Sequence, residues 1–294
     1  EEAFENDIDL FVICRDEDPA FLRYATRLVN EINRELSCRG VMPHHRLAEH
    51  FGSFVIPVRA LRQFLETPQD LMFIEQSQLL GSRLLIGNRA LGEEVSGLLG
   101  EFVFQRPVPF VRDMLEDLSQ RTRDWMTRRE RSLDVKEAPG GLRDIQTIVQ
   151  ACQACTGQRE PVIWDALESL EGLRPHLAAE FRALGRAYQF LRFFKDILAL
   201  AAPEELHFMH VRWLAAMRRQ GLEPAELPSG AGALAQLRRS HLYYRRRARQ
   251  ALARIFPALQ ARCATEAQPE HHHESPGAAE PQAKKFDHGT HGRH

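Results

Sequence analysis

The chain has 294 residues, of which 44% are hydrophobic and 27% are charged, and its 39 basic side chains nearly balance its 40 acidic ones. So large an apolar fraction can build a core, which excludes wholesale disorder, and the net charge of −1 excludes a surface that is basic throughout. No run of about 18 apolar residues occurs, so we expect no transmembrane helix. Five thinly spread cysteines predict reduced thiols in a cytoplasmic protein.

The first hundred residues predict a small mixed β-sheet with helical cover. Residues 7–14 end in an apolar run of strand-forming residues. A helix is predicted over residues 20–36, where apolar side chains recur at helical spacing. Two further extended stretches follow at residues 38–47 and 54–58. Strand, helix, strand and strand in this order indicate an α+β arrangement.

From residue 58 onward the pattern is almost wholly helical, which predicts an all-α bundle. The chain then divides into residues 1–100, a helical part over 101–262, and a tail at 263–294 whose Pro, Gly, Ala and His content predicts disorder. A short extended piece at 133–135 precedes a helix breaker at 138–141. The predicted helices are 60–66, 69–86, 90–104, 107–131, 142–155, 175–201, 204–220 and 233–259.

Two aspartates, Asp7 and Asp9, stand two residues apart on the first predicted strand. Strand alternation sends both carboxylates to one face, about 7 Å apart. Such a pair can hold a hard cation such as Mg²⁺, which would bridge nucleotide phosphates and stabilise an in-line displacement. The alternative is an acidic strand end on the surface, because the pattern D-x-D alone is common.

A second candidate element runs from Lys136 through Gly140 and Gly141 to Asp144. Paired glycines permit close backbone approach, and the helix that they open points its first amides at an anion. Lys136 lies within reach of a phosphate, and Asp144 lies in the first helical turn, where a carboxylate suits the dipole. In the alternative interpretation the glycines are only a joint and Asp144 only a capping charge.

Two other features of the sequence have simpler structural explanations. Cys152 and Cys155 have metal-ligand spacing on a predicted helix, but no second pair is present, which favours two partly buried thiols. Arginines and tyrosines at 238–247 form the strongest basic patch. That patch fits a solvated helix face, or a docking face for an acidic protein, better than it fits an RNA-binding surface.

Four stretches resemble one enzyme family. They are residues 1–10 (EEAFENDIDL), 75–88 (EQSQLLGSRLLIGN), 133–146 (LDVKEAPGGLRDIQ) and 187–192 (AYQFLR). The first is similar to the metal-binding strand of DNA polymerase β-type nucleotidyltransferases. All four together resemble the PII uridylyltransferases and the glutamine synthetase adenylyltransferases, and the third stretch is the most specific.

The resemblance implies a nucleotidyltransferase core at residues 1–100 followed by a helical domain at 101–262. It implies Mg²⁺-assisted transfer of a nucleoside monophosphate, from ATP or UTP, to a side chain of a protein such as a PII-like protein or glutamine synthetase. Neither a membrane nor a nucleic acid is an expected partner. The metal ligands and catalytic residues would be Asp7 and Asp9, and the nucleotide-binding or pocket residues would be Arg83, Lys136, Gly140, Gly141 and Asp144.

Arg83 lies on a predicted helix, and its role has two interpretations. It is either a phosphate partner or an ion-pair donor to Glu75 or Asp144.

Two departures from the family pattern bear on activity. The family has a glycine-rich turn just before the first strand, and Glu1 stands where the residue after that turn would be, so the resemblance implies an N-terminally incomplete core. The family usually draws a third carboxylate from the second strand, where His44 stands here. The uridylyltransferases also carry a histidine in this strand, so the resemblance leaves open that His44 is native to that branch. Imidazole suits Mn²⁺ better than Mg²⁺. The alternative function is therefore a catalytically degenerate module that binds nucleotide or protein.

Overall fold

The computed structural model of the protein describes residues 7–15, 17–45, 47–67, 72–105, 107–127, 134–200 and 231–266. Its strands are β1 (Asp7–Asp9), β2 (Val12–Cys14), β3 (Met42–His44) and β4 (Val55–Pro57). Its α-helices are α1 (Pro19–Cys38), α2 (Ala48–Phe51), α3 (Val58–Glu66), α4 (Met72–Leu80), α5 (Arg89–Leu99), α6 (Pro107–Thr127), α7 (Leu142–Thr156), α8 (Ile163–Leu173), α9 (Ala178–Leu200) and α10 (Ala231–Glu266).

The strands form two parallel pairs. Strand β1 pairs with β3, and β2 pairs with β4. The expectation of one mixed sheet is wrong for the described residues, because both pairs are parallel. Helix α1 lies between the two strands of each pair in sequence, and such crossover connections produce parallel neighbours.

Helix α1 covers the second strand pair. It begins at Pro19, whose missing N–H costs nothing at a helix start, and the Asp18 carboxylate caps it by accepting from the Phe21 amide at 3.0 Å. Its Val29 is buried against Val55 of β4 and Cys14 of β2. One face of this strand pair therefore packs against α1, whereas Ile56 of β4 belongs to the main core.

One hydrophobic core joins the strand region to the helical part. Leu47, Ile56 and Leu61 belong to the same buried cluster as the side chains of α6 to α10. Each fully buried side chain of this size contributes roughly 1.5–3 kcal/mol. The largest fully buried side chains of the helical part are Phe181, Phe190, Phe194, Ile145, Ile148, Leu170 and Leu184.

Some expectations about elements need correction, and others fall outside the described residues. Helix α4 ends at Leu80 rather than at residue 86, and α8 was not predicted. Residues 134–135 form no strand. The predicted helix at 204–220 and the tail beyond residue 266 lie outside the described residues. In the part of the chain that the structure describes, no helix is long and apolar enough to cross a membrane.

Candidate functional site

The parallel pair β1–β3 brings two of the predicted metal ligands to neighbouring positions. Asp9 and His44 are Cα partners in the register, and the Leu10 amide donates to the His44 carbonyl at 2.8 Å. Both side chains are exposed. The backbone of Asp7 is paired with that of Met42, whereas the Asp7 side chain lies outside the described part of the structure. Among the described side chains, no group of three His, Cys, Asp or Glu is placed to hold a metal ion.

The end of β3 is fixed by the next residue, His45. Its Nε2 lies 2.9 Å from Asn33 Oδ1 of α1, and its ring packs 4.6 Å from the ring of Phe54. Burial, followed by the neighbouring His44, lowers the pKa of His45. His45 therefore connects β3 to α1 as a neutral imidazole, and it fixes the strand end on which His44 lies.

A cleft of about 940 Å³ opens between α1 and the segment that follows β3. Its lining includes Arg23, Arg27 and His45. Neither Asp9 nor His44 is among the described residues that line it. Asp9 and His44 thus lie on exposed strand ends rather than inside this cleft.

Arg83 lies in a loop, so the prediction that it lies on a helix is wrong. Helix α4 ends because Ser82 donates two hydrogen bonds to the Leu79 carbonyl, one from its hydroxyl at 2.6 Å and one from its amide at 3.0 Å. The Arg83 side chain is exposed and has no ion-pair partner among the described residues. Glu75, one of its two expected partners, contacts His50 Nε2 at 2.9 Å instead.

The signature loop, residues 134–141, is closed by hydrogen bonds within itself. The Asp134 carboxylate accepts from the amides of Lys136 at 2.9 Å and Glu137 at 2.8 Å. The Leu142 amide, the first of α7, donates to the Val135 carbonyl at 3.0 Å. These bonds fix the backbone while the Lys136 side chain stays exposed. Lys136 is therefore presented to solvent from a rigid turn.

Asp144 is buried and braces the signature loop from below. One carboxylate oxygen accepts from the Gly140 amide at 2.8 Å, and the other accepts from Arg121 Nη1 at 2.9 Å. Arg121 also donates to Asp117 at 2.7 Å and to Thr147 at 3.2 Å. Burial raises the pKa of Asp144, although the Gly140 amide and the Arg121 charge act in the opposite direction. Its contacts are thus those of a buried brace.

Helix α10 covers the outer side of the Gly-Gly turn. Gly140 has φ of +78°, and a Cβ there would lie 2.5 Å from the Arg245 carbonyl oxygen and 2.6 Å from Arg249 Cγ. Arg245 donates to the Pro139 carbonyl at 3.1 Å. Gly141 is equally tight, because a Cβ would lie 2.6 Å from the Lys136 carbonyl. Both glycines are buried, so close approach to α10 is one reason for glycine at this turn.

Sequence reasoning missed the residues that hold this turn, Arg121 and Arg245. Both belong to arginine-rich helices, and nothing in the spacing distinguishes them from the exposed arginines nearby. It also missed His241 of α10, which is fully buried and packs 5.1 Å from Phe194. Neither of its ring nitrogens has a hydrogen-bond partner among the described residues. Burial lowers the pKa of His241 to about 4.

Comparison with known proteins shows which family the sequence matches. A family profile described as GlnD PII-uridylyltransferase matches residues 109–256, half of the chain, which includes the signature loop and most of α10. A bifunctional glutamine synthetase adenylyltransferase/adenylyl-removing enzyme of Stenotrophomonas maltophilia K279a is 30% identical over 141 residues, 46% of this chain and 15% of that protein. The protein of the same description from Pseudomonas putida KT2440 is 26% identical over 169 residues, 54% of this chain and 17% of that protein.

The chain therefore spans about a sixth of the length of these curated relatives. The profile match covers helices α6 to α9 and α10 as far as Phe256. The Arg121–Asp144 brace, the Gly-Gly turn and the α10 contact all fall within it. The chain belongs to the GlnD PII-uridylyltransferase family.

Proposed function

We propose that this chain takes part in nucleotidyl transfer: a nucleoside monophosphate moves from ATP or UTP to a side chain of a regulatory protein or enzyme of nitrogen metabolism. The target would be a PII-like protein or glutamine synthetase, as the names of the family and of its relatives suggest. The observation that carries the proposal is the β1–β3 register, which pairs Asp9 with His44. This pairing lies in a chain whose helical part matches the family.

The donor set at the strand pair fits a divalent cation. Asp9 offers carboxylate oxygens, which Mg²⁺ prefers, and His44 offers an imidazole, which Mn²⁺ accepts more readily. Asp7, two residues before Asp9, would be the second carboxylate ligand. When bound, the cation would neutralise charge on the triphosphate.

The chain's own cations would hold the nucleotide. Lys136 and Arg83 are both exposed, and neither has an ion-pair partner among the described residues. A phosphate is a natural ligand for such groups. In the transfer, a target hydroxyl oxygen forms a bond to the α-phosphorus while the bond from that phosphorus to the bridging oxygen breaks. Pyrophosphate leaves with the electron pair, and the hydroxyl proton passes to solvent.

Transfer of label from nucleotide to protein tests the proposal. The full chain is incubated with α-labelled ATP or UTP, Mg²⁺, and a purified PII protein or glutamine synthetase. We expect the label to appear on one target and to be lost in Asp7→Asn and in Asp9→Asn. Asp124→Asn is the matched control, because Asp124 is exposed on α6 and its contact with Gln120 at 2.7 Å survives as an amide contact. Equal labelling by Asp9→Asn and the control would contradict the metal role.

The second candidate function is a degenerate module that binds nucleotide or protein without turnover. His44 favours it, since a histidine and not a carboxylate lies directly beside Asp9 in the register. Calorimetry of the full chain with ATP or UTP and Mg²⁺ separates the two candidates. Binding without any label transfer during long incubation supports the degenerate module, and label transfer excludes it.

A further inference from the structure

The exposed half of helix α10 carries positive charge that the rest of the described structure leaves uncompensated. Arg238, Arg246, Arg247 and Arg249 are exposed, and none forms an ion pair with a described carboxylate. Acidic side chains are absent from α10 until Glu266 at its end. Since the whole chain has a net charge of −1, this local excess is a feature of one surface and not of the protein.

Two large side chains are exposed within the same surface. Leu242 is 60% exposed and Tyr243 is 57% exposed. The Tyr243 ring packs edge-on against Tyr244 at 5.2 Å, and Tyr244 is itself buried and stacked on Phe190 at 4.4 Å. Tyr243 is therefore held from below while its outer surface stays available. A preorganised aromatic side chain loses little entropy on binding, and aromatic residues with arginine are typical of protein-binding hot spots.

This surface borders the signature loop. Arg245 donates to the Pro139 carbonyl of the loop, and Arg249 Cγ lies 2.6 Å from the position of a Cβ on Gly140. Residues three and four apart are neighbours on a helix surface, so Leu242 and Arg249 lie on the turns next to Arg245. A molecule that binds the exposed half of α10 would thus lie beside the loop that presents Lys136.

We propose that the exposed half of α10, namely Arg238, Leu242, Tyr243, Arg246 and Arg247, is a docking surface for an acidic patch on the folded protein that receives the nucleotide. The inference rests on the proposed function, since it assigns a binding surface to that function's protein substrate. Charge complementarity defines the partner, because exposed cations without carboxylate partners attract and orient an acidic surface. A folded protein is favoured over RNA by the aliphatic Leu242 at the centre of the patch, since nucleic-acid interfaces are more polar.

Binding to purified PII protein and to glutamine synthetase tests the proposal. The affinity of the full chain for each protein is measured by fluorescence anisotropy at about 50 and about 200 mM salt. We expect one of them to bind, more weakly at the higher salt, and Arg246→Glu/Arg247→Glu to weaken that binding by about tenfold or more. Tyr243→Ala should weaken it at both salt concentrations, because the tyrosine contributes buried area rather than charge.

The control variant Arg39→Glu/Arg89→Glu reverses the same number of charges on exposed arginines outside α10. It should leave the affinity within about twofold of wild type, because distant surface charges are screened. Unchanged thermal unfolding of each variant establishes that the fold is intact. Equal weakening by both double variants overturns the proposal, because the effect would then belong to net charge.

Three other results would also overturn it. One is wild-type affinity in Arg246→Glu/Arg247→Glu, and another is failure of the wild-type chain to bind either protein. The third is tight binding of a single-stranded RNA oligonucleotide that the double variant loses while protein binding is unchanged. Failure of the proposed function has a different signature. A chain that binds its target through α10 but never labels it refutes transfer and leaves the docking surface standing, whereas labelling with an unchanged KM for the protein in the double variant refutes docking alone.

Discussion

Packing of α10 on the Gly-Gly turn predicts an unusually large penalty for one methyl group at Gly140. The substitution Gly140→Ala places a Cβ 2.5 Å from the Arg245 carbonyl oxygen and 2.6 Å from Arg249 Cγ. The first of these atoms belongs to the backbone of a long helix, which cannot move alone. The backbone of residue 140 also has φ of +78°, a conformation that L-residues rarely adopt.

Two terms set the magnitude. A left-handed backbone costs a non-glycine residue roughly 1–2 kcal/mol. Forcing an extra carbon into a packed site costs roughly 1–3 kcal/mol more. Gly140→Ala should therefore lower the free energy of unfolding by about 2–5 kcal/mol, a large part of the stability of an ordinary domain.

Gly157→Ala is the matched control for the backbone term. Gly157 also has a positive φ, +70°, but nothing lies within 4 Å of its added Cβ. Urea unfolding of the two variants should differ by the packing term alone, about 1–3 kcal/mol. If Gly140→Ala costs no more than Gly157→Ala, α10 does not cover the signature loop, and the positions assigned to Arg245 and Arg249 are wrong.

Three further predictions concern charged or polar groups. His241→Leu should make the stability of the protein less sensitive to acid. Because the pKa of His241 is about 4, the stability that it contributes above pH about 6.5 is lost as the pH falls toward 4, about 3 kcal/mol in total. Urea unfolding at several pH values should therefore show a flatter dependence on pH for the variant, and an unchanged dependence would contradict the burial of His241. Arg121→Met leaves the buried Asp144 without its charge partner and should cost about 3–5 kcal/mol; adding Asp144→Leu should recover part of that loss, and strictly additive losses in the double variant would refute the pairing. His44→Asp sets a carboxylate beside Asp9 and should tighten Mg²⁺ binding by roughly tenfold in calorimetry, whereas unchanged or weaker binding would contradict the β1–β3 register as a metal position.

The sequence predicts the order of most elements well where periodicity and capping agree. Helix α1 illustrates this, because Asp18, Pro19 and the apolar repeat all indicate the same start. The early end of α4 could not be predicted from the sequence in the same way. The apolar run 84–86 continues the helical pattern, yet Leu84, Leu85 and Ile86 are 54%, 63% and 93% exposed, because Ser82 captures the Leu79 carbonyl and ends the helix.

Contacts between distant segments are the part of the candidate site that sequence could not supply. Lys136, Gly140 and Asp144 are conspicuous in the sequence because of their spacing. Their surroundings depend on Arg121 and Arg245, which lie 23 and 101 residues away from Asp144 along the chain, distances that no local pattern spans. Burial of Asp144 under these contacts explains why a carboxylate in a first helical turn is neither a simple cap nor an exposed ligand.

The β1–β3 pairing is another contact that the local spacing of residues does not predict. Spacing alone relates Asp7 to Asp9, whereas only the register relates Asp9 to His44, 35 residues later. A parallel pair formed through a crossover helix can be expected from the element order, but a shift of one residue would put His44 on the opposite face. The register is therefore the feature on which the proposed metal position depends.

Binding of Mn²⁺, followed by electron paramagnetic resonance, reports directly on a metal position at the β1–β3 strand pair. Free Mn²⁺ gives a signal that decreases on binding, so titration of the full chain reports the metal position without requiring turnover or a protein target. We expect one site in wild type and in Asp124→Asn, and loss of that site in Asp9→Asn. Equal Mn²⁺ binding by all three proteins would contradict a metal position at the β1–β3 strand pair.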